Sequence, residues 1–182
     1  MAKTNLKKFT ASEKLNSMSV DLIDVTVAAD SDNAGTSAAG DLLFKVTEIP
    51  NAVSVVGGSA ILQSCCVIVD ESDATGAIDL IVTSDSTALI GDSSAGDTSA
   101  TETGDTMAAV TSALSVMDGT CGFFSVTNAF DAGVVAVGDK KNIGMVCKAA
   151  SDSTSLFIYG IQQSSADYNQ SSIVLRLGFV KD

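Results

Sequence analysis

The densest run of potential ligand atoms in this chain is Asp30-Ser-Asp32-Asn33-Ala-Gly35, with Asp41 following. A calcium loop delivers carboxylate and carbonyl oxygens at fixed positions around a turn glycine. Asp30 fits the first position, Asp32 the third, Gly35 the turn glycine and Asp41 the twelfth. Ala34 stands at the fifth, where an oxygen is required, and the flanking residues read as strands rather than helices. Asp, Ser, Asn and Gly also build ordinary turns, so a plain turn is preferred and Asp30, Asp32 and Asp41 are kept only as a candidate metal set. Asp92-Ser-Ser-Ala-Gly-Asp97 offers less still and reads as a solvated loop.

Catalytic options are few. The chain has no His, which removes the usual general base and the commonest metal ligand. A serine nucleophile would have to rely on Lys, and no motif pairs a lysine with a serine. Paired carboxylates are available for glycoside hydrolysis. Sugar sites, however, are usually lined by aromatics, and here there is no Trp and only Tyr159 and Tyr168. Val56-Gly57-Gly58-Ser59 precedes a strand, not a helix, so it lacks the helix N-terminus that phosphate binding exploits. Asn169-Gln-Ser171 has the form of a glycosylation sequon but has no secretory context. Cys65, Cys66, Cys121 and Cys147 show no CxxC spacing and read as free, small apolar residues. Within a strand, Cys65 and Cys66 would point to opposite faces. No catalytic residue, cofactor or enzymatic activity is expected.

Charge is segregated. Between Val46 and Asp139 there is no Lys or Arg, yet 13 Asp and Glu residues fall there. The ten cations are Lys3, Lys7, Lys8, Lys14 and Lys45 before it and Lys140, Lys141, Lys148, Arg176 and Lys181 after it. Nucleic-acid affinity rests on cations displacing counterions, so this body is unsuited to DNA or RNA. A net charge of −12 opposes anionic membranes and keeps copies apart in solution. No apolar run approaches a membrane span, and the basic start is not followed by the apolar stretch of a secretory signal. Lys3, Lys7, Lys8 and Lys14 are the candidate partner-binding residues, because charge clustered on an arm is a common docking device.

The elements that would position these residues are strands. Residues 1–18 are polar and read as an arm or a short helix outside the core; arms of this kind often order on a partner. Residues 19–182 read as one β domain. Apolar runs cover Val20–Val27, Asp41–Ile49 (ended by Pro50), Ser59–Val69 and Ala77–Thr83. Asp70–Gly76 has hairpin chemistry. Residues 84–106 are rich in Ser, Thr, Asp, Ala and Gly, a connection of a length usually found as a functional surface loop. Met107–Met117 mixes helical and strand spacing and is read as a helical turn running into a strand. Further strands are expected at Cys121–Thr127, Val134–Val137, Asn142–Lys148, Thr154–Ile161 and Ile173–Val180. In the last, Leu175, Leu177 and Phe179 share one face. With 46% apolar and only 5% aromatic residues, the core must be aliphatic. Nine or ten short strands predict an all-β, antiparallel, jelly-roll-like β-sandwich with an extended N-terminal arm.

Ile49–Leu62 (Ile-Pro-Asn-Ala-Val-Ser-Val-Val-Gly-Gly-Ser-Ala-Ile-Leu), Gly144–Ser151 and Ile173–Val180 together resemble accessory virion proteins of tailed bacteriophages. The resemblance spans most of residues 41–180 and is one of strands and turns, with no active-site motif to carry over. It implies a capsid decoration, or cement, protein: a β-rich subunit, often a homotrimer, made in the host cytoplasm and bound to the major capsid protein on the outer surface of the virion. A tail, knob or head-fibre component contacting the host would share these features. From another class, so would a calcium- or carbohydrate-binding β module.

Overall fold

The computed structural model describes residues 20–28, 42–70, 76–84, 119–131, 135–163 and 172–181. They form eight strands: β1 (Val20–Ala28), β2 (Leu42–Ile49), β3 (Ser59–Val69), β4 (Ala77–Thr83), β5 (Thr120–Asp131), β6 (Ala136–Lys148), β7 (Leu156–Gln162) and β8 (Ser172–Lys181). All pairings are antiparallel, in the order β1-β8-β3-β6-β5-β4-β7-β2. The first strand pairs with the last, the second with the seventh, the third with the sixth and the fourth with the fifth. This is one long antiparallel hairpin wound on itself, which defines a jelly roll and bears out the sequence reading.

The sheet curls into two layers. One holds β1, β8, β3 and β6; the other holds β5, β4, β7 and β2. Strand β5 turns the corner: Thr120–Thr127 pair with β4, while Asn128, Phe130 and Asp131 pair with β6. Period-2 alternation explains why the layers close on each other, since each strand presents one apolar face. Leu175, Leu177 and Phe179 of β8, Leu62 and Val67 of β3, Leu80 of β4 and Ile158 of β7 are all fully buried. The core is aliphatic as expected, with Phe44, Phe124 and Phe179 as its phenylalanines. The ring of Phe44 lies over Gly160, where a Cβ would stand 2.2 Å from Phe44 Cε1.

Two expectations are corrected. Asp70–Gly76 is not the turn of a hairpin: β3 pairs with β6 and β8, and β4 with β5 and β7, so this connection passes between layers. Ala136 and Val137, from the expected strand Val134–Val137, and Asn142–Lys148 are not in separate strands but in one, β6, because Gly138–Lys141 stay extended against Val67–Ser64; Val134 lies outside the described residues. The irregularity lies later, where Asn142, Ile143 and Gly144 together oppose Gln63; Asn142 (φ 57°) and Gly144 (φ 67°) turn the chain there. Residues 1–18, Asp30, Asp32 and Asp41, Met107–Met117 and all but Ser84 of the 84–106 loop lie outside the described residues.

Candidate functional site

Directly opposed residues on neighbouring strands share a face, so the registers map the outer surface of the first layer row by row. Val20 opposes Val180, Val180 opposes Ile61, and Ile61 opposes Val146. Val20 and Val146 are 49% and 66% exposed. The next row is Leu22, Gly178, Ser64 and Lys141. Gly178 leaves the space over it to neighbouring side chains, since a Cβ would meet Ser64 Oγ at 2.5 Å and Val20 Cγ1 at 3.1 Å, and Leu22 beside it is 65% exposed. Nearer the far end, Thr26, Val174, Ile68, Val137 and Phe130 form another row across five strands, ending in a Phe130 that is 64% exposed.

Between the apolar rows runs a charged one: Asp24, Arg176, Cys66 and Asp139. Arg176 donates two parallel bonds to Asp24, Nε to Oδ1 and Nη2 to Oδ2, both at 2.8 Å. Its guanidinium holds the Asp24 carboxyl below the ordinary value, and the carboxylate in turn raises Arg176. Asp139 pairs with Lys141 at 3.0 Å. Cys66 lies within this row; partial burial, followed by the Asp139 charge, pushes its thiol up. At the strand ends Lys181 pairs with Asp21 at 3.0 Å. The layer's outer face is therefore banded: apolar, charged, apolar.

The end bearing Val20 and Val146 also gathers loops. Val53 N–H donates to Thr154 O (3.1 Å), Gly57 N–H to Ser153 O (2.9 Å) and Ala149 N–H to Gly58 O (3.0 Å), binding the β2–β3 and β6–β7 turns together. Gly57 has φ 69°, the turn role expected for that glycine-dense spot. Val55 and Val56, both 61% exposed, sit on the β2–β3 turn. Ser84 N–H donates to Gly119 O at 2.8 Å, closing the neck from which residues 85–118 depart. The chain enters β1 at Val20 at this same end.

The outer face of the second layer differs. Ser125 Oγ donates to Asp79, and Ser155 Oγ donates to Glu48 Oε1 at 2.5 Å. Tyr159 is 7% exposed, and its burial pushes the phenol up to about 12. Phe123, on β5, is exposed at 70%.

Lys3, Lys7, Lys8, Lys14, Asp30, Asp32 and Asp41 lie outside the described residues. Among the described residues no three of His, Cys, Asp and Glu converge on a common point that could hold a metal, and no helix is long and apolar enough to cross a membrane. Sequence reasoning missed the banded face. Val20 and Leu22 were read into the apolar run of β1, and the available signal was alternation: Val25 and Val27 face the core, so Val20 and Leu22 divide from them by register.

No protein-family model matches the chain, and no curated protein is significantly similar to it. Among solved structures, a chain from tomato aspermy virus shares 10% identity and a TM-score of 0.33, covering 97% of this chain and 81% of that one. A chain from the full particle of Israeli acute paralysis virus shares 10% identity at a TM-score of 0.31, covering 99% and 81%. One from desmodium yellow mottle tymovirus shares 12% at 0.25, covering 90% and 87%. The overlap is loose at these scores, and the jelly-roll assignment rests on the strand order itself.

Proposed function

We propose that this chain is a structural protein of a virion, a decoration or cement subunit that binds the outer capsid lattice and reinforces it. The observation that supports this most directly is the banded outer face of the first layer. Soluble proteins rarely expose contiguous apolar rows unless another protein covers them. Here Val20, Leu22, Val146 and Phe130 flank an ordered charge row that would set the register of contact. Binding through such a face requires shape and apolar area rather than chemistry. The resemblance of Ile49–Leu62, Gly144–Ser151 and Ile173–Val180 to phage accessory virion proteins favours the same reading, with the major capsid protein and identical copies of this chain as partners.

In this proposal the arm of residues 1–18 carries Lys3, Lys7, Lys8 and Lys14 onto the shell, its ordering cost offset by many copies acting together. The arm joins the body beside Val20, so the end bearing Val20, Val55, Val56 and Val146 faces the lattice. The test is reconstitution on capsids stripped of the protein, with copy number counted by quantitative mass spectrometry. Hundreds of copies per particle are expected for the full chain, with a large loss on deleting residues 2–18. A few copies at one vertex would instead make it a tail, knob or head-fibre component.

A further inference from the structure

We propose that Cys121 and Cys147 are a redox-active dithiol that closes to an intramolecular disulfide by exchange with a low-molecular-weight disulfide, stapling β5 to β6 where their backbone pairing has ended. The proposal is independent of any virion role.

The geometry is that of a seam. Strands β5 and β6 pair only near their hairpin, at Asn128, Phe130 and Asp131 against Gly138, Val137 and Ala136. Beyond it β5 pairs with β4, and β6 with β3, so Thr120–Thr127 and Asp139–Lys148 meet along a seam rather than in a ladder. Cys121 lies at a bulge in β5, between Thr120, opposite Thr83, and Gly122, opposite Val82. That bulge aims its sulfur across the seam, to 4.0 Å from the Lys148 carbonyl oxygen. Cys147 Sγ, on β6 next to Lys148, stands 3.7 Å from Met145 O. Met145 packs beneath, its Cε 3.0 Å from where a Gly122 Cβ would be, so the strands are already held close at this point. Both sulfurs therefore lie against the same Met145–Lys148 stretch of β6, the proximity a disulfide requires. Cys65 and Cys66 have no such arrangement, since they point to opposite faces of β3, one buried and one outward.

The roles of the two thiols follow from access. Cys147 is fully buried and Cys121 half-buried, so Cys121 must attack first. The Cys147 thiol donates to the Cys121 sulfur, which stabilises a Cys121 thiolate and brings it down to about 7; the same bond, with burial, pushes Cys147 up. In the first step the Cys121 thiolate attacks one sulfur of the external disulfide, forming a mixed disulfide and expelling one small thiolate. In the second, Cys147 loses its proton and attacks Cys121 Sγ, expelling the second small thiolate. Two protein thiols are oxidised and one external disulfide is reduced to two thiols.

The test uses the full chain with glutathione disulfide under native conditions, followed by unfolding, alkylation and peptide mass mapping. The expected result is a monomer lighter by two hydrogens, with Cys121 joined to Cys147 while Cys65 and Cys66 take up the alkylating agent. Closure should lower the unfolding equilibrium constant on the order of a hundredfold, reversed by dithiothreitol. A Cys66→Ser variant should behave identically. A stable glutathione adduct on Cys121 with Cys147 still alkylated, or a bridge between other cysteines or other chains, would overturn the proposal.

Discussion

The two layers of this jelly roll share one fold rule and differ in what they show to solvent. Their inner faces are alike, both aliphatic and closed to water from Val67 and Leu175 on one side to Leu80 and Ile158 on the other. Their outer faces are not. The first layer's outward rows carry Lys141, Lys148 and Arg176 on β6 and β8, set among exposed Val20, Leu22 and Val146. The second satisfies Asp79 and Glu48 with neighbouring serines. Alternation lets one strand serve the core and the surface independently, so the shared inner face speaks to stability and the divergent outer face to partners.

The largest test asks whether the core is shared. Phe179→Ala empties a fully buried site in the first layer and should cost about 3–5 kcal/mol. Gly160→Ala in the second drives a methyl into the buried Phe44 ring and should cost roughly 1–3 kcal/mol. Both losses should appear as a lower midpoint in one cooperative urea transition. Separate transitions for the two variants would mean the layers do not fold as one unit. Next come the outer faces. Leu22→Asn with Val146→Lys should reduce capsid occupancy at least tenfold while leaving stability within about 0.5 kcal/mol. Phe123→Ser, on the second layer, should leave occupancy unchanged. Equal losses from both faces would dissolve the distinction. A smaller effect separates the cysteines: at pH 7.5, iodoacetamide should label Cys121 before Cys66. Cys121, near 7, is largely thiolate there, while burial and Asp139 keep Cys66 protonated.

How much of this was legible beforehand varies with the range of the interaction. Alternation is local, so β8 and its buried Leu175, Leu177 and Phe179 could be read directly. Turn chemistry is also local, and that misled at Asp70–Gly76: the residues favour a turn, but they do not say which strand the chain meets next. The partners of β3 are β6 and β8, far along the chain, and their selection depends on closing a whole layer. Gly138–Lys141 looked like a break because it is polar, yet β6 has β5 beside it only at Ala136–Gly138, and past that point its outward positions tolerate charge. The Cys121–Cys147 contact had no spacing signature, because it arises from a bulge in one strand facing another strand across a seam. The stretch without cations is split by the fold: β3 goes to the first layer, β4 and β5 to the second. The structure thus brings basic β6 and β8 to either side of acid-flanked β3, a juxtaposition that composition along the chain could not display.

The smallest test concerns the charged row itself. Asp24 and Arg176 are both about half exposed, so solvent screens their attraction and the pair should add little to stability at neutral pH. Its sign is nonetheless definite. Arg176 lowers the folded pKa of Asp24 below the ordinary 3.8, so the unfolded chain takes up a proton first as the solution is acidified. The contribution is complete above the unfolded value and disappears as the pH falls through the depressed folded one. Asp24→Asn should therefore show its deficit in thermal midpoint at neutral pH and converge on the parent protein below pH 3.8. Raised salt should shrink the deficit throughout. If capsid occupancy falls in this variant while the thermal midpoint hardly moves, the row serves to set register for a partner; if both are unmoved, the apolar rows alone carry the contact.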